Sequence, residues 1–306
     1  MTGWMMKTKI ILASLLLIPS LLFGAGESGA LFLLSDPGAR TASLAGAFTA
    51  KTEGVSGAFY NPASLGSVKK FESFFTYSGS IAGINSGHIS AAFPLKDAGS
   101  VSVSGGYMTA GEIDNALEGE PVVKTGDAVA ALSYGIKLGA LSLGAAAKIF
   151  SSTMGEQSAA AFCADIGAVY AVTSSFSAGL AVRNAGPDFT YVEAGTSFPM
   201  TAALGLNFSV LEEKEHKLAV SGEVSYLVPD ASLRAAAGVE YIFNSMLSAR
   251  AGYGYEKEAV TGFTAGAGIK IGAGEFDIII DYAFVPAFWD SGVFEASNLV
   301  TLGVSY

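Results

Sequence analysis

Most of the chain after residue 70 alternates between apolar and polar side chains with a period of two. This is the pattern of β-strands whose two faces meet different surroundings. In the stretch 276–284, for example, five apolar side chains share one face, and Asp277 and Asp281 lie on the other. Fourteen such segments follow one another, near 70–82, 86–94, 99–110, 124–136, 140–152, 159–172, 174–183, 198–210, 215–228, 230–243, 245–255, 258–271, 274–286 and 296–306. Each is about as long as a tilted strand that crosses a bilayer, and an even number suits a single-chain barrel. The alternation therefore predicts an all-β fold, an antiparallel β-barrel of 14 strands.

The composition indicates that this barrel lies in a membrane. Charged residues make up only 14% of the chain, against about 25% in a typical soluble domain. One apolar run, 10–23, approaches membrane length, but a spanning helix needs about 20 residues. We therefore predict a transmembrane β-barrel of the bacterial outer membrane with lipid as its surroundings. A soluble periplasmic β-protein is the alternative, which the low charge disfavours.

The N-terminus has the pattern of a secretory signal peptide. Lys7 and Lys9 precede the apolar run, and the small residues Gly24 and Gly26 follow it at cleavage-like spacing. We predict a signal peptide over residues 1–26.

The next segment, residues 27–68, lacks long alternating runs. Glycines and the pair Asn61-Pro62 punctuate it, and such residues mark turns and loops. We predict that this N-terminal segment folds inside the lumen as a hatch or plug, and that residues 69–306 form the barrel. The turn at Asn61 and Pro62 either anchors this plug or takes part in gating.

Charged side chains within the strands are expected to point into the lumen, because a charge on the lipid face costs several kcal/mol near the bilayer midplane. The residues concerned are Asp127, Lys148, Asp165, Arg183, Glu223, Arg234, Glu240, Arg250, Lys270, Asp277 and Asp281. Arg40, in the N-terminal segment, is expected to pair with a lumenal acid such as Glu223 or Asp281. The alternative role for Arg40 is to hold a ligand carboxylate.

The connections between strands alternate between short and long. The long ones span 108–124, 184–197 and 286–296. Barrels of this type have short periplasmic turns and long external loops. With both ends of the barrel periplasmic, the long connections all fall on the external side.

Aromatic residues cluster in two of the long connections. Phe288, Trp289 and Phe294 lie in one, and Phe189 and Tyr191 lie in the other. They predict either an apolar ligand site at the external mouth or an aromatic belt at the membrane interface.

Two further features concern strands. Gly105 and Gly106 interrupt the third strand, and consecutive glycines often mark a bulge or kink. We predict that they either form a lateral opening in the wall or belong to an ordinary glycine-rich strand. The last strand ends at Tyr306, which is expected to face lipid at the periplasmic rim and to serve as a signal for the barrel-assembly machinery.

Several classes of function are disfavoured. His88 and His216 are isolated, so neither predicts a metal site, and no catalytic or nucleotide-binding motif stands in a suitable context. The single cysteine, Cys163, has no adjacent base. The net charge of −10 disfavours nucleic acid as a partner. We therefore expect a protein that is not an enzyme and needs no cofactor.

The N-terminal segment also resembles a known family. Gly38-Ala-Arg-Thr-Ala-Ser-Leu-Ala-Gly-Ala-Phe-Thr-Ala50 followed by Ala58-Phe-Tyr-Asn-Pro-Ala-Ser-Leu65 is similar to the corresponding region of FadL-like outer membrane proteins. The similarity is greatest to the branch that contains PorV, PorQ and UPF0164 proteins. Val182-Arg-Asn-Ala-Gly-Pro187 resembles a second family stretch, although Ala185 departs from it.

The resemblance implies a 14-stranded barrel with an N-terminal hatch in which Arg40, Asn61, Pro62 and Ala63 are the hatch or gating residues. In the FadL branch the hatch gates hydrophobic molecules, notably long-chain fatty acids. In the PorV branch the barrel serves a protein-secretion pathway. Passive transport of a small hydrophobic ligand is therefore the first expectation. An outer membrane anchor for secretion partners is the second.

Overall fold

A computed structural model of the chain describes residues 28–79, 83–110, 112–113, 123–191, 195–256, 262–288 and 294–306. The predicted signal peptide lies outside these residues. Fourteen long strands form the wall of a barrel, and every strand pairs antiparallel with the next one along the chain. The strands are β1 (Glu72–Gly79), β2 (Asn85–Pro94), β3 (Ser100–Thr109), β4 (Val123–Leu138), β5 (Leu141–Met154), β6 (Gln157–Ala171), β7 (Phe176–Ala185), β8 (Thr201–Glu212), β9 (His216–Leu227), β10 (Ser232–Phe243), β11 (Leu247–Glu256), β12 (Gly262–Ala273), β13 (Phe276–Phe288) and β14 (Phe294–Ser305).

The barrel is closed by its first and last strands. β1 pairs with β14 from Glu72 opposite Ser305 to Gly79 opposite Asn298. Closure removes the free edge that would leave backbone N–H and C=O groups unpaired in lipid. The prediction of a 14-stranded antiparallel barrel is therefore confirmed.

The outer face of the wall is apolar, as the period-two alternation predicts. On β14, Val300, Leu302 and Val304 are exposed, whereas Thr301 between them is buried in the lumen. Exposed large apolar side chains continue around the wall, among them Phe75, Ile89, Leu132, Ile149, Phe162, Ile166, Leu180, Leu204, Phe263 and Ile280. In the part of the chain that is described, none of the helices has the length and apolar character needed to span a membrane.

The charged strand residues lie on the inner face. Six of them are buried, namely Lys148, Asp165, Glu223, Glu240, Arg250 and Asp281. Lys270 and Asp277 form an ion pair of 2.7 Å near one end of the barrel, where both remain partly exposed. The inward orientation follows because each of these residues occupies the register position opposite the apolar face.

The two ends of the barrel differ in their connections. At one end, here the long-connection end, β3 joins β4 through 110–122 and β7 joins β8 through 186–200. At the other end, the short-turn end, no connection exceeds five residues, and the barrel begins with β1 and ends with β14. The expected long connection at 286–296 is shorter, because β13 and β14 continue to pair as far as Phe288 opposite Phe294.

The N-terminal segment lies within the barrel. It contains 3₁₀ turns at Leu31–Leu34, Val55–Phe59 and Pro62–Ser67 and a short helix, α1, at Ala39–Ser43. Ser28 forms a parallel bridge with Ser197 at the long-connection end, and the segment leads into β1 at the short-turn end. The segment therefore passes through the whole length of the lumen. Its helix α1 packs against β11 to β14, and its last turn packs against β3 to β6.

Candidate functional site

Glycines on the inner wall allow the N-terminal segment to approach the strands closely. At nine of the described glycines, on nine different strands, an added Cβ would lie within 3 Å of an atom of this segment: Gly106, Gly135, Gly144, Gly167, Gly179, Gly205, Gly238, Gly252 and Gly266. At Gly167 that distance, to Oδ1 of Asn61, would be only 2.0 Å. Any side chain there would displace the segment from the wall. Backbone-to-wall packing of this kind fixes the segment around most of the circumference.

Asn61 connects the segment to two strands by hydrogen bonds. Its side chain is fully buried, and its Oδ1 accepts a bond of 3.0 Å from the backbone N–H of Ala63. Its Nδ2 donates to the carbonyl oxygen of Thr49 at 2.8 Å and to those of Ala168 on β6 and Leu180 on β7 at 3.1 and 3.2 Å. Pro62 starts the 3₁₀ turn that follows, where its missing N–H costs no hydrogen bond. The predicted residues Asn61, Pro62 and Ala63 thus form one turn with the geometry of an anchor.

Arg40 belongs to a buried network of ions. Its guanidinium donates to both oxygens of Glu240, at 2.8 and 2.7 Å, and to Glu53 at 2.6 Å. Arg40 therefore pairs with a lumenal acid, as expected, but that acid is Glu240 and neither Glu223 nor Asp281. Glu223 instead accepts the backbone N–H groups of Phe48 and Thr49, at 3.1 and 3.0 Å.

The rest of the network surrounds Glu240. Its carboxylate also accepts bonds from Lys51, at 3.1 Å, and from Arg250, at 2.8 Å. Arg250 in turn donates to Asp281 at 2.6 Å. Three cations and three carboxylates therefore balance one another in the lumen, which is the condition under which buried charges are tolerated.

A cavity of about 380 Å³ lies between the N-terminal segment and the long-connection end, and is here called the upper cavity. Phe32, Leu33, Phe59, Val129 and Val285 are among its apolar lining residues. The lining also includes charged residues, namely Asp36, Lys148, Asp165, Arg183, Arg234 and Glu256. Ligand sites are typically concave and apolar, about 300–1,000 Å³ in volume, with a few polar groups. The upper cavity meets this description in its volume and in having more apolar than polar surface, but its polar groups are numerous.

The polar groups of the upper cavity come from both the segment and the wall. The Tyr60 hydroxyl donates to the carboxylate of Asp36, and the Arg183 guanidinium lies over the Tyr60 ring, 5.1 Å from its centroid. Burial raises the pKa of Asp36, although the Tyr60 hydroxyl and Arg234 act in the opposite direction. Arg234 donates to the carbonyl oxygen of Ala45 at 2.8 Å. The sequence placed both arginines inside the barrel, but it gave no signal that Asp36 and Tyr60 would meet them.

A second cavity, the lower cavity, lies on the other side of the segment and has a volume of about 420 Å³. It lies toward the short-turn end, where Glu72 and Ser305 contribute to its lining. Arg40, Phe74 and Ile279 also line it. None of the described residues lines both cavities. No pattern in the sequence indicated this cavity.

The aromatic residues of the 186–200 connection lie neither at an open mouth nor in a membrane belt. Phe189 is only 4% exposed, and its ring centroid lies 5.8 Å from that of Phe150 and 5.0 Å from that of Phe198. Tyr191 packs against Phe189 at 5.7 Å. The connection folds inward and fills this side of the lumen. Its aromatic rings are therefore a packed cluster, where the sequence predicted exposed ones.

The other predicted mouth residues are described only in part. Phe288 and Phe294 pair across β13 and β14. Their side chains, and the whole of Trp289, lie outside the described residues.

The predicted kink at Gly105 and Gly106 is absent. Gly105 pairs with Ile89 on β2 and Ala130 on β4, and the register is regular on both sides of β3. Gly106 faces the lumen, where a Cβ would lie 2.8 Å from the His88 ring and 2.9 Å from Phe32. The glycine therefore makes room for Phe32 to stack on His88, with centroids 5.1 Å apart.

At the end of the barrel wall, Tyr306 is half exposed on the outer face. Its backbone N–H donates to the carbonyl oxygen of Phe71 at 2.9 Å, and its ring lies 4.8 Å from that of Phe276. Its role in assembly stays a prediction. Within the described residues, no group of His, Cys, Asp and Glu is arranged to hold a metal ion.

No protein-family model matches the sequence, and no curated protein matches it. Solved structures do match. The toluene transporter TbuX of Ralstonia pickettii has a TM-score of 0.61 at 13% identity, over 88% of this chain and 97% of that chain. The toluene transporter TodX of Pseudomonas putida has a TM-score of 0.62 at 12% identity, over 92% of this chain and 98% of that chain. A FadL homologue of Pseudomonas aeruginosa has a TM-score of 0.54 at 13% identity, over 88% of this chain and 98% of that chain.

The chain has a FadL-like fold. At these identities the likeness extends to the FadL-like architecture and no further. Membership of the PorV, PorQ and UPF0164 branch stays a prediction.

Proposed function

We propose that this protein is a bacterial outer membrane channel for the passive passage of small hydrophobic molecules, with the N-terminal segment as its hatch. The observation that carries the proposal is the upper cavity, a chamber with more apolar than polar surface inside a barrel whose outer face is apolar. Burying apolar surface is favourable by roughly 25 cal/mol per Å². The free energy of a hydrophobic molecule therefore falls when it enters this chamber from water.

The volume of the upper cavity limits the size of the molecule that it can hold. An apolar cavity of about 150 Å³ binds benzene. The upper cavity, at about 380 Å³, has room for one aromatic ring with substituents or for a folded alkyl chain. The fold neighbours include two toluene transporters and CymD, which is described as a monoaromatic hydrocarbon channel. These descriptions support a hydrophobic substrate class, within which long-chain fatty acids remain our more specific proposal.

Uptake by whole cells tests the proposal. A Gram-negative host that lacks its own channel of this kind would express the protein, and uptake of labelled dodecanoic acid and labelled toluene would be measured against empty vector. Val129→Trp should lower uptake at least tenfold because the larger side chain fills the upper cavity. Val129→Ala should keep it. The proposal is wrong if the folded wild-type protein takes up neither probe faster than the empty vector.

One observation favours a second candidate. The N-terminal segment packs on glycines of nine strands, and a barrel closed in this way also suits an outer membrane anchor for secretion partners. In that case the wild-type protein would show no uptake. It would instead co-purify with periplasmic or secretion proteins after mild cross-linking.

A further inference from the structure

We propose that the lower cavity is a second binding site for the hydrophobic cargo, and that the cargo crosses along the barrel axis from the upper cavity to the lower one. The inference rests on the proposed function. It adds a site and a route to that function.

The lower cavity has the surface that such a site needs. Ile279 lies on the inner face of β13, between Asp277 and Asp281, and Ile242 lies beyond Glu240 on the inner face of β10. With Phe74 on β1 they contribute apolar surface to the cavity, which charged side chains such as Glu72, Lys217 and Lys270 also line. The volume of about 420 Å³ exceeds the 380 Å³ of the upper cavity. A molecule that fits the upper cavity therefore also fits the lower one.

Only a thin partition separates the two cavities. Ala42 and Ala45 line the upper cavity, whereas Gly38 and Arg40 line the lower one. The partition at this point is the short helix α1 (Ala39–Ser43) and the residues next to it. Besides the two bonds from Arg40 to Glu240, two hydrogen bonds tie α1 to the wall. They run from the backbone N–H of Ala39 to Thr301 and from the Thr264 hydroxyl to the carbonyl oxygen of Ser43, at 2.8 and 2.9 Å.

The ion network leaves most of its members paired when α1 leaves the wall, and Lys51 alone loses its carboxylate partner, Glu240. Arg40 and its partner Glu53 both belong to the N-terminal segment, so this pair moves together. Glu240 then keeps Arg250, which stays bound to Asp281 on the wall. Both sides of the break retain an opposite charge, and this lowers the cost of separating them. The Asn61 turn differs, because the side-chain amide of Asn61 donates hydrogen bonds directly to carbonyl oxygens of the wall. Those bonds would be lost without a replacement if the turn moved.

The wall has no lateral opening at Gly105 and Gly106, where the sequence predicted one through which the cargo could leave sideways. Gly105 and Gly106 are fully paired to both neighbouring strands. β6 extends beyond its last pair with β7, Ala164 opposite Ala185, but the buried rings of Phe150, Phe189 and Phe198 fill the lumen there. Along the barrel axis, by contrast, only α1 and the residues next to it separate the two cavities. The axial route is therefore the one that we propose.

Two engineered disulfides test the route, both in a Cys163→Ala background. Ala45→Cys with Gly254→Cys ties the end of α1 to β11, because the two Cβ positions are 3.7 Å apart, close to the mean of about 3.8 Å in disulfides. Ile89→Cys with Gly105→Cys staples β2 to β3 on the outer face, at the predicted lateral opening. Mass spectrometry would verify that each bond forms.

The expected result is that the oxidised α1 lock lowers uptake at least tenfold, that dithiothreitol restores it, and that the wall staple changes it less than twofold. The route is overturned if the α1 lock leaves uptake unchanged, whatever the staple does. If the reduced variants and the wild type take up nothing, the proposed function fails instead.

A third variant tests the lower site itself. Ile279→Asp replaces an apolar side chain of the lower cavity with a charged one and should slow uptake at least fivefold, with the binding of a fluorescent fatty acid in the upper cavity unchanged. Ile279→Leu is the matched control and should behave as the wild type. Equal uptake by all three proteins would remove the lower cavity from the route.

Discussion

Replacing Glu240 with Gln should release the N-terminal segment from the wall. The Glu240 side chain is 2% exposed and accepts four hydrogen bonds from three cations, two from Arg40 and one each from Lys51 and Arg250. An amide of the same shape has one acceptor oxygen and turns an NH₂ group toward a guanidinium. About half of the bonds are lost, and three cations then face only the carboxylates of Glu53 and Asp281.

The magnitude follows from these contacts. Breaking a buried ion pair by removing one partner costs about 3–5 kcal/mol. Because Glu53 and Asp281 still compensate part of the charge, we expect the lower end of this range, about 3 kcal/mol. Since about 1.4 kcal/mol corresponds to a factor of ten, the population in which the segment is open should rise about 100-fold.

Thiol labelling measures that population directly. Ser43 is fully buried in α1, so a Ser43→Cys variant in a Cys163→Ala background reacts only when the segment opens. Labelling in the Glu240→Gln protein should be about 100-fold faster than in its parent. Asp281→Asn is the control, because Asp281 contacts Arg250 and makes no hydrogen bond to the described part of the segment. Labelling of this control should rise less than tenfold. Labelling of the Glu240→Gln protein within threefold of its parent would refute the reasoning.

Three further changes have definite outcomes. Asn61→Asp should lower the thermal stability of the folded barrel in detergent by the equivalent of about 3 kcal/mol, because a carboxylate would face three carbonyl oxygens without a donor; an unchanged melting temperature would contradict the anchor. Gly167→Ala should make the N-terminal segment sensitive to protease, because its Cβ would lie 2.0 Å from Oδ1 of Asn61, whereas Gly222→Ala has no atom within 4 Å and should stay resistant. Deleting Tyr306 should reduce the fraction of heat-modifiable protein in the outer membrane severalfold while uptake per inserted molecule stays the same. Equal insertion of the two proteins would count against an assembly signal.

The sequence predicts the strands well because period-two alternation is a local signal. On β13, the positions of Asp277 and Asp281 among isoleucines determine both the strand and its inner face. The same alternation predicted that Arg183 and Arg234 point into the lumen. It did not identify ion partners, since Glu223, Glu240 and Asp281 all face the lumen, and only the path of the N-terminal segment decides which of them Arg40 meets.

Glycine and aromatic residues were harder to interpret. A glycine pair such as Gly105-Gly106 is compatible with a kink or with a close neighbour, and the neighbour, Phe32, is more than seventy residues away in sequence. Phe189 in a long connection looks the same in sequence whether the connection projects outward or folds inward. Both outcomes depend on contacts between distant parts of the chain, which a local pattern does not record.

The path of the N-terminal segment has a consequence for the order of assembly. Ser28 is held at one end of the barrel, by Ser197 and by hydrogen bonds to Asp230, whereas Glu72 begins the wall at the other end. If the wall closed first, the N-terminal segment would have to pass through the whole closed barrel. That segment is in close contact with the glycines of the wall, so it would have no space to pass. The pairing of β1 with β14 should therefore be the last to form, after the N-terminal segment already lies between the strands.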